Sequence, residues 1–242
     1  MKKLLVLLSL VMLSLNTQAT LLTALLNGQS IIAGDKEFDQ WEILHDISSS
    51  GIAIDTDNID VIALNDGGLD PGPGLRFDIL NDEFLLEGDD IFAFMDFMFG
   101  FRVTVLDPLL RVKDNSLSLT DASLITPTSL ASVFIEEKIY HDNTLANLIG
   151  DKNVELSEIY DLQGNLIAQT SKLFDSANFA PRDSVYVTKN ILLEAEFSGE
   201  FARLDSFEQR FSQTRTSVPE PHAIMLWGVG LLLLAVRRRH HK

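Results

Sequence analysis

Residues 97–105 read FMFGFRVTV, with Phe97, Phe99, Phe101, Val103 and Val105 falling on every second position. Successive side chains of an extended strand point to opposite faces, so these five share one face and Met98, Gly100, Arg102 and Thr104 the other. The same period recurs where Leu75, Phe77 and Ile79 alternate with Arg76, Asp78 and Leu80, and where Ala131, Val133 and Ile135 alternate with Ser132, Phe134 and Glu136. Such patterns favour antiparallel sheet with one covered face. Gln163, Gly164 and Asn165 mark the turn of a hairpin between strands at 157–161 and 166–169. A second pairing is expected between 184–193 and 200–211, with the reversal at Ser198 and Gly199. There Leu204, Phe207 and Phe211 also fit a helical spacing, which leaves the element type open. Segments 65–74 and 178–183 carry the Gly, Pro, Asn and Asp of loops.

The expected fold class is all-β: a single antiparallel β-sandwich or jelly-roll-like domain over 20–212, with an N-terminal signal peptide and a short C-terminal transmembrane helix. No internal repeat and no linker divides the body. Fifteen Phe, all within the body, allow a substantial core. Between Thr20 and Val218 there are 34 acids against 13 bases, a formal −21. That field disfavours nucleic acid and anionic surfaces. Without Cys, disulfides, thiol nucleophiles and thiolate metal sites are excluded.

The two ends read as addresses. Residues 1–19, MKKLLVLLSLVMLSLNTQA, have the basic start, short apolar run and small-residue end of a secretory signal peptide, with cleavage expected after Ala19. At the other end Pro219, Glu220 and Pro221 follow a short tether at 213–218. They precede an uncharged run, 223–236, and the cluster Arg237, Arg238 and Arg239. The prolines hold an extended segment before the apolar run, and the arginines would stay on the cytoplasmic side.

A Pro-Glu-Pro motif, an apolar run and a terminal arginine cluster in that order resemble the PEP-CTERM sorting domain, over about one tenth of the chain. The resemblance implies Pro219, Glu220 and Pro221 as sorting motif, 223–236 as membrane segment and Arg237 to Arg239 as stop signal. The implied partners are the general secretion machinery, an exosortase-like processing enzyme and extracellular polysaccharide. Export from a Gram-negative bacterium through an inner-membrane-inserted intermediate to the cell surface or matrix follows from the same resemblance. On this reading the chain is a non-enzymatic surface or matrix protein associated with biofilm. The alternatives are a polysaccharide-active hydrolase, or a permanently membrane-anchored carbohydrate- or calcium-binding module.

Within the body, no nucleophile elbow, zinc-binding helix or phosphate loop is present. His45 and His141 adjoin Asp46 and Asp142, but adjacency in sequence does not make a catalytic pair. Asp89 with Asp90 and Glu136 with Glu137 read as solvated charges rather than a glycosidase pair. No cofactor is expected. The weak calcium candidates are Asp55, Asp57, Asp60, Asp66 and Asp70, which lack the glycine and terminal glutamate of an EF-hand loop. Trp41, Tyr140, Tyr160 and Tyr186 would stack sugars if exposed, but their scatter more readily fits sheet packing and edges.

Overall fold

The computed structural model describes residues 19–126, 128–161 and 163–216. The signal-peptide segment before residue 19, the sorting motif, the apolar run and the arginine cluster lie outside the described residues. Two seven-stranded antiparallel sheets face each other. Sheet 1 contains β1 (Thr20–Leu21), β4 (Ile59–Leu64), β5 (Gly74–Ile79), β14 (Phe201–Arg215), β8 (Leu110–Ile125) and β12 (Phe174–Arg182) in that spatial order, and β6 (Leu85–Glu87) also pairs with β14. Sheet 2 runs β11 (Leu166–Lys172), β10 (Leu148–Tyr160), β9 (Leu130–Tyr140), β13 (Ser184–Ala195), β7 (Ala93–Val105), β3 (Lys36–Ser48) and β2 (Ile31–Ala33). A short helix, α1 (Leu22–Leu26), buries Leu22 and Leu25 against this sandwich.

The expected two-sheet, all-β architecture is therefore observed. The expected transmembrane helix is corrected: among the described residues no helix is long and apolar enough to cross a membrane. The segment on which it rested is not among them.

Alternation decides which side chains meet. Phe97, Phe99 and Phe101 of β7 and Phe77 of β5 are all buried, as are Val133 and Ile135 of β9. The Phe77 ring lies 5.6 Å from Phe99 and 4.6 Å from Phe207 of β14, and Trp41 of β3 stacks 4.4 Å from Phe101. Each such aromatic pair adds ~0.5–1.5 kcal/mol beyond the area it buries, so this band ties the two sheets together at their centre.

Two irregularities account for what periodicity left open. In β14 the ladder to β8 shifts on either side of Ser206, so Leu204 and Phe207, three residues apart, both face inward. A β-bulge inserts one extra residue and thereby imitates a helical spacing inside a strand. A similar shift in β3, around Gln40 with φ +54°, turns Trp41 inward three residues after Phe38.

The expected hairpin of 184–193 with 200–211 is not formed. β13 pairs with β7 and β9, whereas β14 pairs with β5, β6 and β8. The turn at 196–200 is a crossover between sheets, fastened by Glu200, whose carboxylate accepts from the Phe197 N–H at 2.9 Å. Likewise 178–182 is not a loop but the end of β12, and β14 continues to Arg215, through half of the expected tether.

Glu137 departs furthest from expectation. It lies on the inner face of β9 with no exposure, between Lys152 of β10 and Lys189 of β13. Burial alone would raise its pKa, but the two lysines outweigh that and hold it below the usual carboxylate range. A depressed carboxyl stabilises the fold above its unfolded pKa, about 4.3 for glutamate, and that contribution is lost as pH falls through the folded value. Acid titration followed by near-ultraviolet circular dichroism should therefore show unfolding that begins only below about pH 4.3. Truncating Phe99 to Ala should lower stability by about 3–5 kcal/mol, read as a reduced urea midpoint with unchanged slope.

Candidate functional site

β8 carries a serine-rich outer face because its inner face takes the alternate positions. Asn115, Leu117 and Leu119 point into the sandwich, while Asp114, Ser116 and Ser118 point out. The ladders on either side align these with two neighbours. Phe174, Ser118 and Glu208 form one row across β12, β8 and β14; Ser176, Ser116 and Arg210 form the next; Asn178, Asp114 and Ser212 form the third. At a rise of ~3.3 Å per residue, the three rows span about 13 Å along the strands.

Small hydroxyl side chains make a low floor here, and larger ones make the walls. Phe174 stands at one margin with 60% of its surface exposed, and the loop bearing Asp70 and Pro71 closes the end beside Ser212. The resulting groove has a volume of about 480 Å³, within the ~300–1,000 Å³ of small-molecule sites.

Ion pairs fix the rim. Lys113 Nζ reaches Asp70 Oδ2 at 2.8 Å and Asp114 Oδ2 at 3.2 Å, Ser212 Oγ donates to Asp70 Oδ1 at 3.2 Å, and Arg210 Nη2 reaches Asp66 Oδ1 at 3.1 Å. The hydrogen bond from Lys113, followed by that from Ser212, holds the Asp70 carboxyl below the usual aspartate range. Asp70 and Asp114 thus share one lysine, and the shift of Asp70 is opposite to that of a glycosidase acid, a carboxyl kept protonated. Glu208 is not level with Asp114: its register partner is Ser118, four residues along β8, a backbone offset of about 13 Å at the strand rise.

The residues singled out from sequence go elsewhere. Asp55 caps the 3₁₀ turn Thr56–Asn58 by accepting from the Asp57 N–H, Asp60 lies in β4, and Asp66 and Asp70 are spent on Arg210 and Lys113. These five acids do not converge; among the described residues no group of three or more His, Asp or Glu is placed to hold a metal ion. His45 lies 3.4 Å from Asp96 in sheet 2, and His141 sits 3.1 Å from Asp142 in the loop after β9, so the histidines form no common site.

Of the four aromatics that would stack sugars if exposed, two are buried, as their scatter suggested. Trp41 is buried in the core. Tyr186 is buried against Gly100 and donates to Glu42 Oε1 at 2.5 Å, and its phenol is pushed up, by burial first and that carboxylate second. Phe174, which the sequence did not single out, is the ring exposed beside this groove. The alternation of Ser116 and Ser118 with Leu117 and Leu119 was a legible signal for an outer polar face, but not for what lies beside it.

No protein-family model matches the chain, and no curated protein matches it. Among solved structures, a mannan-recognising carbohydrate-binding module is 8% identical, with a TM-score of 0.31 over 73% of this chain and 89% of that one. A protein solved with β-1,4-galactotriose is 12% identical, with a TM-score of 0.24 over the same shares. The C-terminal domain of a chitobiase from Bacteroides fragilis is 10% identical, with a TM-score of 0.26 over 78% of this chain and all of that one. Likeness at this level carries no argument about function.

None of these comparisons returns a carrier of a sorting signal, and the described residues contain no membrane-crossing helix. The expectation of a surface protein inserted through its C-terminus and processed by an exosortase-like enzyme is corrected accordingly. The inner-membrane-inserted intermediate goes with it. Replacing Lys113 by Ala should raise the Asp70 pKa toward the ordinary aspartate value, measured by carboxyl carbon NMR titration.

Proposed function

We propose that this domain is a non-catalytic carbohydrate-binding module whose site is the groove on the outer face of β12, β8 and β14. The observation that carries the reading is the three-row array, in which an exposed aromatic ring borders a floor of hydroxyls and flanking polar side chains. A sugar ring offers an apolar face and a rim of hydroxyls. Phe174 meets the first by stacking, and Ser116, Ser118, Ser176, Asn178, Glu208 and Arg210 meet the second as donors and acceptors.

Groove charge selects among glycans. Asp70, Asp114 and Glu208 outnumber Arg210 and Lys113 around it, and the chain as a whole carries −16. Neutral polysaccharides are therefore the preferred class, because a uronate or sulfate chain would meet like charge. The strands fix the platform rigidly, so the site is formed before the ligand arrives. Binding rather than hydrolysis is supported by the lysine-clamped Asp70 and Asp114.

Affinity electrophoresis and calorimetry against a panel of neutral and anionic polysaccharides test this. Wild-type protein should be retarded by at least one neutral glycan, and Phe174→Ala should bind it about tenfold more weakly, equivalent to about 1.4 kcal/mol. Unchanged affinity in Phe174→Ala, or binding confined to anionic chains, would overturn the assignment.

A further inference from the structure

The inner face of sheet 2 holds an ionic row with an unbalanced charge. Ladder registers place Lys152 of β10 opposite Glu137 of β9, and Glu137 opposite Lys189 of β13. All three side chains are fully buried. Lys152 Nζ donates to Glu137 Oε1 at 2.7 Å, Lys189 Nζ donates to Glu137 Oε2, and the Lys189 ammonium also sits 5.2 Å from the Phe207 ring centroid. Two ammonium groups thus share one carboxylate in a dry interior, leaving one positive charge in excess within the row; the further acids that act on Lys152, Asp175 and Asp114, are already paired with Lys172 and Lys113. Such a charge is costly to bury, and the rest of the row does not cancel it.

The opposite wall offers an amide with nothing to bond. Asn115 on the inner face of β8 is fully buried, and neither its Oδ1 nor its Nδ2 has a hydrogen-bond partner. Two contacts bracket Lys152 over this part of the wall. Gly150, two residues earlier on β10, lies against Ala177, whose register partner is Asn115. On the other side, the Asn153 N–H donates to Asp175 Oδ2 at 3.2 Å, and Asp175 is in register with Leu117. Lys152 therefore projects into the sandwich above the stretch of β8 that runs from Asn115 to Leu117.

We propose that Lys152 and Asn115 join in an intramolecular isopeptide bond, with Glu137 as the catalytic proton carrier, so that a covalent amide staples the two sheets. Glu137 takes a proton from the Lys152 ammonium, and the free amine attacks Asn115 Cγ. Glu137 returns that proton to Nδ2 as the Cγ–Nδ2 bond breaks. The proton shed by the new amide nitrogen leaves with the ammonia, as ammonium. One C–N bond forms and one breaks, with no oxidant, reductant or cofactor required. The surplus positive charge departs with the leaving group, and Lys189 remains paired one-to-one with Glu137. The unpartnered amide nitrogen is the atom expelled. Burial also depresses the pKa of Lys152, which favours the free amine that the attack needs.

Intact mass of the denatured, purified protein and a tryptic map test this. The expected mass is lower by one ammonia than that required by the observed termini. In the map, cleavage after Lys152 should be lost, and peptide 114–138 should appear joined to peptide 139–172 through the Asn115 and Lys152 side chains. Lys152→Arg should show the full mass, as should Glu137→Gln if it folds. The wild-type map decides the matter even if neither variant folds. Full wild-type mass with normal cleavage at Lys152 would overturn the proposal, and so would a linkage mapped instead to Gln209 or Lys189.

Discussion

The pleat of the strands divides residues between a dry interface and water, and the inward aromatic band is what makes that division worth its cost in chain entropy. Phe77, stacked on Phe207 of its own sheet, meets Phe99 on the other, with Trp41 stacked on Phe101. Aromatic rings carry large buried areas per ordered residue, so a few of them hold two seven-stranded sheets in register without a disulfide. Once that face is filled, the remaining alternate positions must face out. The outer groove of sheet 1 is the complement of the packing of β8, β12 and β14. Ser116 and Ser118 point outward because Asn115, Leu117 and Leu119 point inward.

The same geometry places polar groups inside. Glu137 occupies an inner position of β9 by the phase that buries Ile135 and Ile139. Buried lysines at the same level on the two neighbouring strands, Lys152 and Lys189, supply its counter-charge. A buried carboxylate without partners would be neutralised, and one with partners is held ionised. The interior of this sandwich therefore combines a hydrophobic band with a charged row, and the outer face combines a hydroxyl floor with an aromatic margin.

Much of the fold was legible in the strand period. β5, β7 and β9 announce their inner faces through Phe77, Phe99 and Val133 and their neighbours, and the β10–β11 hairpin announces its turn through Gly164 and Asn165. What escaped the sequence has local physical causes. The bulge at Ser206 gave a strand the spacing of a helix. Ser198 and Gly199 mark a reversal equally well for a hairpin and for a crossover between sheets. Glu137 sits in a Glu-Glu-Lys run that reads as solvated, and its lysine partners lie 15 and 52 residues away. Phe174 acquires meaning only from strand pairing, which sets it beside Ser118 and in the row of Glu208.

The central claim is that the β12–β8–β14 face is a binding surface for neutral glycans. Amide and methyl chemical-shift mapping during titration with a neutral glycan oligosaccharide tests it most directly. The account predicts saturable shifts concentrated at Ser116, Ser118, Phe174, Ser176, Asn178 and Arg210, with the outer face of sheet 2 silent. Shifts centred on sheet 2, or none with any neutral glycan, would contradict it.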